Sequence, residues 1–306
     1  MESAQDKITG EIVEAEQLWL IENVDKERYV CRGCGIKVLP ASYKPTNVVR
    51  PYFTTGKEVD HKADCDVDGE KKLVTRGKKE RLSTQRDGFP VPYPSRLVLR
   101  DERPVVDDGS LSGAGPKAGG KPGTEQSTSA DGTSSPTRRR AANTIRPICR
   151  TFINFPYDRD LELAIPGIEA TNYLSVFKKL KWDELSLYSE AKLFYAAMRW
   201  NKPVETDEFL EIALDAGERD ETKRLQRGHR IRVEWADWSK SKRTYVRNEI
   251  EAARKEAIEA KEKNPKIKGY LFFIGQQDLD DITLFRVVDH RLICCLVNEI
   301  TYPKFG

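Results

Sequence analysis

The chain has 306 residues, room for about two domains of ordinary size, and its 52 Lys and Arg nearly cancel its 49 Asp and Glu to leave a formal net charge of +3. Charged residues make up 33% and hydrophobic ones 38%, and no apolar run approaches the roughly 20 residues that a membrane helix needs. Membrane, collagen-like and coiled-coil readings are thereby excluded.

The polar opening stretch lacks the apolar segment of a secretory signal. Six cysteines occur, Cys31, Cys34, Cys65, Cys149, Cys294 and Cys295, too few and too clustered for a disulfide framework. A cytoplasmic, reducing setting is the expectation, and there close Cys pairs point to metal before disulfide. Adjacent Cys294 and Cys295 sit in the apolar run 292–297 and read as small buried hydrophobes.

Residues 1–100 read as short strands and turns: runs at 17–23 and 28–30 around a turn at 24–26, then a β-rich run at 48–54, punctuated by Gly56 and Gly69. A unit with so few large aliphatics has a small core, and such units are often helped by a bound metal. Cys31-Arg32-Gly33-Cys34, followed by Gly35, fits a tight turn that aims two sulfurs at one ion. His61 and Cys65 are four residues apart, about one helical turn, which puts an imidazole and a thiolate on one face. Together they form a Cys₃His set, the closed tetrahedral set preferred by structural Zn²⁺, with no open position for catalysis. The 26-residue gap between the pairs suits a hairpin between knuckle and helix turn, as in a treble clef or zinc ribbon. A redox CxxC is disfavoured because no βαβ pattern surrounds it.

At these residues a resemblance emerges. Cys31 and Cys34, then Arg50-Pro51-Tyr52-Phe53 and the His61 and Cys65 pair, resemble the N-terminal zinc-binding module of competence CoiA-like proteins over roughly residues 28–66. Tyr52 stands where that family often has His, and the downstream acidic nuclease set of that family has no counterpart placed alike. The resemblance implies a DNA-related setting, the processing of or defence against foreign DNA, without carrying over a nuclease activity.

Residues 101–143 form the clearest boundary: 21 of these 43 are Gly, Ser, Pro or Thr and none is aromatic. Such a segment cannot bury enough apolar area to offset its ordering entropy and is expected to be a disordered, flexible linker. It ends on Arg138, Arg139 and Arg140.

Residues 144–306 read as an α+β domain with a mainly antiparallel sheet. Strands are expected at 150–155 and 161–165, and a short amphipathic helix at 173–180. The run at 191–200 is ambiguous between helix and strand. At 230–238, Ile231, Val233 and Trp235 alternate with Arg230, Arg232 and Glu234, the period of a half-buried strand. Val246, Ile250, Ala253 and Ala257 mark one face of a helix over 242–263, ended by Asn264-Pro265. Strands at 269–275, 282–288 and 292–297 close the chain, the last two joined by a hairpin-length connection.

Charge is segregated along the chain. Residues 58–70 hold six acids and one base, and residues 71–86 seven bases and one acid; residues 205–221 hold eight acids and one base, and residues 222–247 nine bases and two acids. Such blocks create local fields that net charge hides. Lys71, Lys72, Arg76, Lys78 and Lys79 are one candidate nucleic-acid surface. Arg230, Arg232, Trp238, Lys240, Lys242, Arg243 and Arg247 are a second, since arginine on phosphate with aromatic faces for stacking is the chemistry of single-strand binding. The competing expectation is that basic and acidic blocks pair within the fold and the tryptophans are core; Trp235 is assigned to the core.

Catalytic signals are thin. Asp158, Asp160 and Glu162, or Asp278, Asp280 and Asp281, could hold Mg²⁺, although Asp-rich turns are common. His229 and His290 are isolated, and no phosphate-cradling Gly loop or nucleophile elbow occurs. The expectation is a zinc-stabilised nucleic-acid-binding protein, with DNA ahead of RNA as partner. The alternatives are a metal-dependent nuclease using C-terminal carboxylates, and a protein-interaction adaptor.

Overall fold

The computed structural model describes residues 1–99, other than 45, 48, 57, 58, 63, 64 and 85–87, together with 139–303; of residues 66–70 it describes the backbone. Most of the expected linker, Arg86, Arg138 and part of the acidic block at 58–70 lie outside the described residues.

The chain opens with β1 (Ser3–Asp6), β2 (Ile12–Glu14) and β3 (Tyr29–Val30), which form a small antiparallel sheet in the order β2-β1-β3. The strand expected at 17–23 is instead a 3₁₀ turn, Ala15–Leu20. Its start is fixed by Gln17, whose side-chain oxygen accepts the Glu14 amide at 2.8 Å, a helix-start signal that outweighs the apolar run after it. Then come β4 (Leu39–Ala41) and β5 (Tyr52–Thr54), an antiparallel pair, and helix α1 (Asp66–Gly77). Next are β6 (Tyr93–Leu97) and β7 (Arg139–Ala142), which pair in parallel. The last residues of the expected linker are therefore a strand.

Helix α2 (Ile145–Asn154) replaces the strand expected at 150–155. Eight of its ten residues are buried; Arg146, Arg150 and Asn154 recur four apart opposite Ile145, Ile148, Cys149, Phe152 and Ile153, a helical period that the 150–155 window is too short to contain. The expected helix at 173–180 is a single turn, α3 (Tyr173–Val176), running straight into β8 (Phe177–Lys179). Phe177 stacks on Phe152 at 4.0 Å between centroids. The strand expected at 161–165 survives only as isolated bridges, among them Arg96 with Ala164.

The rest of the chain comprises β9 (Leu193–Ala197), β10 (Val204–Glu205), β11 (Phe209–Arg219), β12 (Leu225–Glu234), α4 (Lys240–Lys263), β13 (Lys268–Phe273), β14 (Gln276–Gln277), β15 (Leu284–Val287) and β16 (Ile293–Asn298). The ambiguous run at 191–200 is thus a strand. Ser239 caps α4 by accepting the Lys242 amide, and Asn264-Pro265 ends it as expected.

Two sheets organise this part, one ordered β10-β11-β12-β15-β14 and the other β16-β13-β9-β8. The class is α+β with mainly antiparallel pairing; β12 with β15 and β8 with β9 are parallel exceptions. The four-stranded sheet is buried on both faces. One face, with Phe194, Leu271, Phe273 and Cys295, meets Ile212, Ile231, Val233 and Phe285 of the other sheet and Val246, Ile250 and Ala253 of α4. Its opposite face, with Tyr195, Phe272 and Cys294, meets Ile148, Cys149 and Phe152 of α2. The connection at 289–291 is no hairpin, since β15 and β16 belong to different sheets. The 3₁₀ turn His290–Leu292 carries the chain across the core between them.

Packing straddles the residue-100 boundary. Leu82, Phe89, Tyr93 and Leu97 belong to the core built on α2, and Trp19 belongs to the core between the sheets. A third, small core holds Ala4, Ala15, Leu18, Tyr29, Val38 and Phe53 with Cys31 and Cys65.

Candidate metal centre

The first two cysteines sit at the tip of a tight hairpin. Val30 bridges Lys37, and the Val38 amide donates to the Tyr29 carbonyl at 3.1 Å. Within the tip, the Cys31 amide donates to the Ile36 carbonyl at 2.7 Å and the Gly35 amide to the Cys31 carbonyl at 2.9 Å. This closure needs Gly35 at φ +73°, although nothing crowds the space where its Cβ would be; the requirement is conformational rather than steric. The Gly33 amide points at Cys31 Sγ, 3.4 Å away.

The β4–β5 hairpin brings the chain back. His61 and Cys65 approach on a turn closed by the Cys65 amide and the Lys62 carbonyl at 3.0 Å, and α1 begins one residue later with Cys65 as its cap. The pair therefore does not share a helix face; the turn just ahead of the helix does the same job.

These four residues converge. Cys31 Sγ lies 3.6 Å from Cys65 Sγ, and His61 Nδ1 lies 3.4 Å from both Cys34 Sγ and Cys65 Sγ. All four donor atoms fall within 4.8 Å of one another, close enough to hold a metal ion. Bonds of about 2.3 Å to sulfur and about 2.1 Å to nitrogen, at tetrahedral angles, imply edges of roughly 3.8 Å between sulfurs and roughly 3.6 Å from sulfur to nitrogen. The three separations match those edges within a few tenths of an ångström, and a 3.6 Å sulfur pair is far too long for a disulfide bond of about 2.05 Å. Burial opposes ionisation of Cys34, but the backbone amides of Ile36 and Lys62 and the neighbouring His61 outweigh it and lower the thiol to about 6. Cys34 is accordingly a thiolate, the ligand form, at neutral pH. Among the described residues this is the one group of three or more Cys, His, Asp or Glu side chains so placed.

Cys294 and Cys295 are buried core, as expected, and so is Cys149; all three are fully enclosed. Five of the six carboxylates proposed for Mg²⁺, all but Asp280, are committed to protein donors. Asp158 accepts the amides of Leu82 and Ser83 at 3.0 and 2.8 Å. Asp160 pairs with Arg81 and Glu162 with Arg139. Asp278 accepts the amides of Asp280 and Asp281 and pairs with Arg286, while Asp281 pairs with Arg230.

The two basic surfaces differ. Lys71, Lys72, Arg76 and Lys79 are exposed on or just after α1, with Lys78 half-buried and bonded to Asn298. In the second set the acidic block finds its partners within the fold. Arg230 and Arg232 pair with Glu211, and Arg247 with Glu205. Arg243 donates to the carbonyls of Trp238, Asp207 and Ala236. Trp235 is core, as assigned, and Trp238 is half-buried with its ring edge-on to His290 at 5.7 Å. Lys240 is exposed and Lys242 half-buried.

His290 is buried between Trp238 and Tyr245. His229 is fully buried beside Tyr188 and Phe285, and neither ring nitrogen makes a hydrogen bond of good geometry. Burial holds its pKa below 6.5, with the main chain of Thr283 and Ile282 offsetting part of that pull. The unfolded chain therefore takes up a proton near pH 6.5 that the folded chain refuses, so stability should decline as the pH falls below that value. Urea titrations of wild type and His229→Phe across pH 5–7.5 should show this acid-side decline shrinking in the variant; an identical slope in both would contradict it.

Sequence reasoning missed a buried ionic cluster altogether. It joins Glu16, Arg50, Arg146 and Glu249. Arg50 stood out in the sequence only as part of a basic-aromatic strand, and none of the four falls in a charge block. Searches for related proteins give no match to any family model, curated protein or solved structure.

Proposed function

We propose that the chain is a zinc-stabilised nucleic-acid-binding protein. The observation that carries the reading is the convergence of Cys31, Cys34, His61 and Cys65 directly beneath α1. Three thiolates and one imidazole with near-tetrahedral edges suit Zn²⁺ above harder ions, which want oxygen. With all four positions filled by protein, the ion holds structure. The order of knuckle, β4–β5 hairpin and metal-anchored helix supports a treble-clef arrangement.

An ion gripping Cys65 fixes the start of α1, and α1 then turns Lys71, Lys72 and Arg76 toward solvent with Lys79 just beyond. A rigid helix with a cationic face is suited to follow phosphates. DNA is the proposed partner ahead of RNA, and the resemblance to the CoiA-like module favours a cytoplasmic role in handling foreign DNA. The Arg230–Arg247 region takes second place, because several of its charges are already matched. The nuclease alternative gains no support from carboxylates occupied by arginines and amides, and an adaptor role has no specific observation in its favour.

The test is a DNA titration at several salt concentrations. Every phosphate that the protein no longer neutralises should flatten the slope of log K against log salt by about 0.9. Alanine at Lys72, Arg76 and Lys79 together should flatten it by roughly two to three, with RNA run in parallel to set the preference. Absence of binding at low salt would remove the reading.

A further inference from the structure

A cleft of about 460 Å³ opens between the metal module and the core built on α2, within the roughly 300–1,000 Å³ of small-molecule sites. The module contributes Arg32, which lies between two of the proposed ligands, and Lys71 of α1; the other wall contributes Arg140 of β7 and Arg150 of α2. Against these four cationic side chains the lining sets two carboxylates, Glu2 and Glu14, an excess of two positive charges. Both carboxylates pair with Arg150. The Arg140 Nε is buried and makes no hydrogen bond among the described residues. An anion in the cleft would supply a counter-charge to Arg32 and Arg140 together.

The uncharged lining mixes polar Ser3, Thr151 and Asn154 with apolar Phe89, Val91 and Phe155. Val91 is half-buried, and Phe89 packs edge-on against Phe155 at 4.9 Å. Cationic and aromatic side chains lining one cleft fit a ligand that carries both a phosphate and a ring.

We propose that this cleft binds a nucleotide, its phosphate held by Arg32, Arg140 and Lys71 and its base or sugar lying against the Val91 and Phe89 wall. As the phosphorylated end of a strand, the ligand deepens the nucleic-acid reading and rests on it; as a free mononucleotide it stands without that reading.

The experiment titrates the full chain with deoxyadenosine monophosphate, inorganic phosphate, and one short single strand bearing either a 5′-phosphate or a 5′-hydroxyl. Deoxyadenosine monophosphate should bind about ten-fold or more tightly than inorganic phosphate, and Arg140→Gln should weaken it by about ten-fold or more, the worth of one charged hydrogen bond. Lys71→Gln, at an exposed position of α1, should weaken it by a few-fold and keeps the test sound if Arg140→Gln misfolds. A gain from the 5′-phosphate that disappears in these variants supports the site and identifies the strand end as the source. Equal binding of both strands, with mononucleotide binding still sensitive to the variants, supports the site and identifies the free nucleotide. Strand binding indifferent to the terminal phosphate and to both variants, with no mononucleotide binding, overturns the cleft and leaves the nucleic-acid reading standing. Mononucleotide binding without any strand binding does the reverse.

Discussion

Chelating the metal should release the backbone of residues 29–77 to fast hydrogen exchange while the two large sheets stay protected. Among the described residues the small core around the site has eight buried members, and two of them are the candidate ligands Cys31 and Cys65. Its large apolar side chains are Leu18, Tyr29, Val38 and Phe53, each contributing roughly 1.5–3 kcal/mol on burial, too few to order the knuckle, the hairpin and the start of α1 unaided. Binding free energy at such a site is folding free energy, about 10–16 kcal/mol in zinc-finger peptides at neutral pH. The loss should stay local, because the sheets have their own cores. Protein purified without added zinc should carry about one ion per chain, and Cys31→Ser or Cys65→Ser should lose it. Full zinc retention in both variants would rule out these ligands, and unchanged exchange after the zinc has gone would rule out its structural role.

Legibility in the sequence followed the range of the interaction. The four candidate metal ligands were readable because each half is a local turn with its own spacing, and their donor chemistry pointed to one centre. Strand β12 and helix α4 were readable because each buries one face and exposes the other, so periods of two and 3.6 survive in the residues. Helix α2 was not, although Arg146, Arg150 and Asn154 recur four apart, because a strand window at 150–155 takes in only its second half and is too short to show that period. The switch between sheets at His290–Leu292 was hidden for a different reason: a three-residue connection fits a hairpin, and only the pairing of β15 with β12 and of β16 with β13 shows the strands parting. Charge blocks marked basic and acidic segments correctly without saying which bases meet acids inside the fold. Arg230, Arg232 and Arg247 do so across adjoining elements, while the exposed lysines of α1 face solvent.

The largest single-residue effect away from the metal is expected at Glu249. Its side chain is 1% exposed on the inner face of α4. It receives Arg146, Arg50 Nη1 at 3.0 Å and the Cys295 amide at 2.8 Å. Glu16 completes the cluster with Arg146, Arg150 and Arg50. Burial alone would raise the Glu16 carboxyl, and the three arginines reverse that and hold it below its ordinary value. Glu249→Ala strips two buried guanidiniums of a shared counter-charge and leaves a strand amide unpaired, so it should destabilise the protein by about 3–5 kcal/mol. Glu249→Gln keeps the shape and an acceptor and should cost less, about 1–3 kcal/mol. Glu256→Ala is the contrast: that carboxylate also meets Arg50 but is 41% exposed, and its loss should cost under about 1 kcal/mol. Urea unfolding of the three variants measures all of this, and a Glu249→Ala cost no larger than that of Glu256→Ala would refute it. The cluster joins the 3₁₀ turn, the loop before β5, α2 and α4 through charges that are costly to bury singly. The front module is therefore held against the sheets by mutual neutralisation, and the walls of the cleft between them are fixed in the same way.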